Sequence, residues 1–74
     1  MLTPYLNAAL ARAKIEQDPE DKLFYGEVPG FEGVFADGPT FEACRDELER
    51  VLEEWVLIQL QMDFPLPDVG VRTT

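Results

Sequence analysis

Chemistry in this chain would have to run on carboxylates or on one thiol. Fifteen Asp and Glu stand against six Lys and Arg, with no histidine, no serine and a single cysteine, Cys44. Ser-His-Asp, Cys-His and HExxH sites are therefore impossible within one chain. The five glycines are dispersed and form neither GxGxxG nor GxxxxGK, which excludes a phosphate loop. Carboxylate pairs can act as acid and base or hold a divalent cation. The densest group, Asp18, Glu20 and Asp21 around Pro19, lacks the spacing of a calcium loop. It reads as a solvated hairpin turn, where Asp and Pro commonly serve. Glu27 and Asp37 form a second pair, near the ends of two predicted strands. Neither group completes a metal constellation, so no catalytic residue, metal or cofactor is expected. Cys44 falls in the first turns of a predicted helix, where a helix N-terminus can lower a thiol pKa. Its place on the apolar face favours the plain reading of a small packed hydrophobe.

The elements that position these residues follow from turn chemistry and periodicity. Thr3-Pro4 caps a short first helix, with Leu6, Ala9, Leu10 and Ala13 on one face. Alternation over Ala13–Gln17 predicts a strand, and Asp18–Asp21 turns it into a second strand over Leu23–Val28. There Leu23, Tyr25 and Glu27 face one way, and Phe24, Gly26 and Val28 the other. Gly26, having no side chain, predicts a close approach or a bend. Pro29-Gly30 suits a type II turn, and Gly33 gives a second flexible point before a third strand over Val34–Asp37. Phe31, next to Glu32 in that turn, either folds back onto the sheet or stands exposed as an interface aromatic.

Gly38-Pro39 breaks the strand, and Thr40 caps a long helix to about Gln61. Its apolar stripe runs through Phe41, Cys44, Leu48, Val51, Leu52, Trp55 and Ile58, with Trp55 as a core anchor. Asp46 and Arg50 form an expected i,i+4 pair. Val56, Leu57 and Leu60 broaden the stripe at the far end, which marks them as a candidate oligomer interface. Asp63–Val69, with two prolines, reads as an extended segment on a sheet edge or a short fourth strand, and Arg72–Thr74 as a frayed tail.

The expected fold class is thus α+β: a short helix, a three-stranded antiparallel meander and one long helix over its apolar face, forming a single domain over residues 1–74. A chain of this size buries only roughly 60% of its unfolded surface, so a partner or self-association is expected. The formal charge of −9 disfavours phosphate backbones and direct nucleic-acid binding, while it speeds encounter with a basic protein. Solubility alone is the plainer account of that charge. One cysteine, no basic-apolar leader and no apolar run near the ~20 residues of a membrane span fit a cytoplasmic location.

The run Val28-Pro29-Gly30-Phe31-Glu32-Gly33-Val34, together with Tyr25, Glu27, Ala36, Gly38, Thr40, Ala43 and the helix to Trp55, resembles the N-terminal domain of the HicB family of antitoxins. The likeness spans roughly Ile15 to Val69. It implies a reduced RNase H-like fold without the metal-binding carboxylates, and a protein-binding role in place of catalysis. The implied partner is a small, basic HicA-like toxin that cleaves RNA, neutralised by direct binding. Glu27, Phe31, Glu32 and Asp37 are the candidate contact residues. Only about a dozen residues follow the long helix, so the DNA-binding segment usual in full-length HicB antitoxins is not carried over. The competing reading is a homo-oligomeric scaffold of the same fold, a homodimer or larger, built on Val56, Leu57 and Leu60.

Overall fold

The computed structural model describes residues 3–69. It contains α1 (Thr3–Leu10), β1 (Lys14–Gln17), β2 (Phe24–Glu27), β3 (Phe35–Gly38) and α2 (Phe41–Gln61). The strands form an antiparallel meander in the order β1-β2-β3, with α2 lying chiefly over β3 and β2 and least over β1. The α+β architecture is the expected one.

Local chemistry accounts for the joints. α1, described over Thr3–Leu10, unwinds through Arg12 N–H to Ala9 and Ala13 N–H to Leu10 bonds, directly before β1. In the first hairpin, Asp18 accepts from the Glu20 N–H and Asp21 from the Leu23 N–H, so both carboxylates hold the turn's own backbone. After β2 the chain makes two successive tight turns. Phe31 N–H bonds Val28 C=O, Val34 N–H bonds Phe31 C=O, and the residues needing positive φ are Gly30 at +90° and Gly33 at +85°. Thr40 caps α2 by accepting from the Ala43 N–H.

The core forms where a row of α2 side chains meets the inner face of the sheet. Cys44, Leu48, Leu52 and Val56 are fully buried at steps of four. Gly26, midway along the central strand, lets this row approach: a Cβ placed there would lie 3.2 Å from Cys44 Sγ and 3.3 Å from Leu48 Cδ2. The close approach expected at this glycine is present. Around Phe31 a second part of the core gathers α1 and the C-terminal segment. Trp55, half-buried, packs edge-on to Phe31 with centroids 5.1 Å apart, and Tyr5 packs edge-on to the other side at 6.3 Å.

Four expectations are corrected. The segment from Phe64 to Val69 forms no fourth strand and runs along no sheet edge. It returns to α1, where Tyr5 Oη donates to Pro67 C=O at 2.6 Å and Val69 is buried. Prolines deny it a ladder of N–H donors, and α1 offers an apolar surface instead. Phe41 and Ile58 belong to the predicted stripe but lie exposed, Ile58 at 52%. A 21-residue helix is about 32 Å long, whereas a four-residue strand covers about 13 Å; the sheet cannot cover both ends. Val56, assigned to an interface, is buried because it completes the i+4 row. Arg50 pairs with Glu47 and Glu54, not with Asp46. The tail Arg72–Thr74 lies outside the described residues.

Candidate functional site

Strand alternation buries one face of the sheet and, among the described residues, leaves the other without a covering layer. The registers Lys14↔Glu27↔Phe35 and Glu16↔Tyr25↔Asp37 place six outward residues in two rows of three. Three carboxylates and one ammonium surround two aromatic rings. Phe35, on the edge strand β3, is 62% exposed, and Tyr25, on the central strand with a neighbour on each side, is still 42% exposed. Asp18 and Pro19 extend the face past the end of β1, bounding an open depression of about 600 Å³.

Tyr25 is held in place. Its hydroxyl donates to Asp21 Oδ2 at 2.5 Å, tying the sheet face to the first hairpin turn. That bond, with desolvation and nearby carboxylates adding to it, pushes the Tyr25 phenol up to about 12. The same bond, and the Leu23 N–H, hold Asp21 below its ordinary range. Beneath the sheet, burial raises the Cys44 thiol, with Asp37 adding to the effect, and Sγ donates weakly to Ala36 C=O at 3.7 Å. A thiol so placed is a packed hydrophobe, as its apolar position implied.

Of the sequence-predicted contact residues, the fold brings Glu27 and Asp37 together as diagonal neighbours on adjacent strands of this face. Glu32 is exposed on the β2–β3 connection, away from the strand rows. Phe31 is not a surface residue. It is 3% exposed, because the paired turns fold residue 31 back between Tyr5 and Trp55. At the far end of α2, Leu57 and Leu60 are exposed while Val56 is not. Sequence reasoning missed Glu16 and Phe35 on the face. Alternation from Asp37 back to Phe35 carried the signal, but the register that sets them beside Tyr25 and Glu27 is not a local property. Among the described residues, no three carboxylate or thiol groups converge to hold a metal ion.

A helix-covered three-stranded meander with this turn pattern is matched by the UPF0150-like family over residues 4–67. The chain belongs to the UPF0150-like family. Among solved structures, the chain is similar to the protein TTHA0281 from Thermus thermophilus. That likeness has 38% sequence identity and a TM-score of 0.85, and covers 93% of this chain and 91% of that one. No curated protein matches the chain. No helix among the described residues is long and apolar enough to cross a membrane.

Proposed function

We propose that this UPF0150-like chain is a non-enzymatic antitoxin-type domain of the HicB kind. It neutralises a small, basic, RNA-cleaving HicA-like toxin in the cytoplasm by covering the surface that would otherwise meet RNA. The observation that carries this reading is the uncovered sheet face, with Glu16, Glu27 and Asp37 around the exposed rings of Tyr25 and Phe35. Carboxylates in such an arrangement attract a surface built for phosphate, while the rings supply apolar contact at small entropic cost. Glu32 on the neighbouring turn adds to the same field. Neither nucleic acid nor membrane is a partner in this reading.

The test is binding to a small basic protein encoded beside this chain, measured by titration calorimetry and by rescue of growth when the two are co-expressed. Reversing Glu27, Glu32 and Asp37 to Lys should abolish both binding and rescue while the domain stays folded. Unchanged affinity would reject the electrostatic reading. A second reading, the homo-oligomeric scaffold, draws support from Leu57 and Leu60, which lie exposed where α2 outruns the sheet. A chain that self-associates through them and captures no basic partner would favour it.

A further inference from the structure

We propose that two copies of this chain pair through β1, antiparallel and centred on Ile15, to form one six-stranded sheet. β1 is an edge strand, and α2 covers it least of the three. Its free edge can be read from the ladder. Asp18 N–H donates to Leu23 C=O at 2.8 Å, so the backbone of Asp18 faces β2. Hydrogen bonding alternates along an antiparallel strand, so Glu16 and Lys14 also face β2. The N–H and C=O of Ile15 and Gln17 then point away from the sheet, a template for another strand.

The side chains select a second copy as the occupant. Lys14 and Glu16 lie two apart on the outer face, with opposite charges. Self-pairing centred on Ile15 sets Lys14 of each copy opposite Glu16 of the other, giving two reciprocal ion pairs at the close, non-hydrogen-bonded positions of the ladder. Ile15 meets Ile15 on the inner face and exchanges both backbone bonds with it, while Gln17 N–H faces Ala13 C=O. Lys14 has no salt bridge among the described residues that would compete. On the helix side, an open groove of about 540 Å³ runs along the strand, bounded by Leu10, Ala13, Ile15, Phe41 and Arg45, so nothing obstructs the approach.

Net charge sharpens the choice. Two chains of −9 repel, and this contact is locally neutral. The other edge, β3, has no such complementarity: self-pairing about Ala36 would set Asp37 against Phe35. The dimer does not rest on the toxin-binding reading, but it engages Glu16 with Lys14 of the other copy and leaves Glu27 and Asp37 as the remaining carboxylates of one continuous outer face.

Sedimentation equilibrium of the full chain at micromolar concentration tests it. The wild type should be a dimer. Lys14→Glu and Glu16→Lys should each weaken it at least about tenfold, since each turns two attractive cross-strand pairs repulsive. The double variant K14E/E16K should restore dimerisation, with circular dichroism confirming an unchanged fold throughout. A monomeric wild type overturns the proposal. So does a dimer that survives K14E but dissociates on L57D/L60D, or a double variant no better than the singles.

Discussion

The Tyr25 hydroxyl donates to the Asp21 carboxylate four residues earlier, joining the centre of the sheet face to the turn that starts β2. The pairing has opposite consequences at the two ends of the pH scale. Asp21 is depressed, so its contribution holds above the ordinary carboxylate range and is lost as pH falls through its lowered value. Tyr25 is raised, so its contribution holds below about 10, the ordinary phenol value, and is lost as pH rises toward about 12. Asp21→Asn should bring the Tyr25 titration back toward about 10. Site-resolved NMR titration separates it from Tyr5, which burial and Asp68 also raise. An unmoved Tyr25 curve would show that the bond does not form in solution.

Two phenylalanines four residues apart should behave in opposite ways. Phe31→Ala removes the ring between Tyr5 and Trp55 and should cost on the order of 3–5 kcal/mol in a denaturant melt. Phe35→Ala, on the exposed face, should change stability by no more than about 0.5 kcal/mol. Under the proposed function, its effect belongs in the affinity for the basic partner. Equal destabilisation by both would contradict the assignment of one ring to the core and the other to the surface.

Gly26→Ala adds a methyl group where Ile15, Cys44 and Leu48 already converge within 3.1–3.3 Å. The central strand and α2 must then separate slightly, at a cost of about 1–3 kcal/mol. A thermal melt reads this directly. An unshifted midpoint would mean that the helix can yield freely over the sheet.

Cys44 should resist thiol reagents in the native state, since it is fully buried and its thiol is raised by burial. Labelling should track global unfolding across a denaturant series. Fast labelling without denaturant would instead report local opening of α2 from β3.

The order of the elements, the paired turns at Gly30 and Gly33, the Thr40 cap and the missing catalytic residue types were all legible in the chain, because each depends on local stereochemistry or on composition. Alternation also predicted which residues of β2 share a face. What the linear order left open was whether Phe31 turns inward, which partners Arg50 takes, where the proline segment goes and how far the sheet reaches under α2. The fold resolved these through contacts between residues distant in the chain: Phe31 with Tyr5 and Trp55, and Pro67 with Tyr5. The strand register likewise sets Glu16, Tyr25 and Asp37 in one row, although each sits on a different strand. Alternation assigns a face within a strand, but only the packing of three strands against one helix aligns those faces with one another.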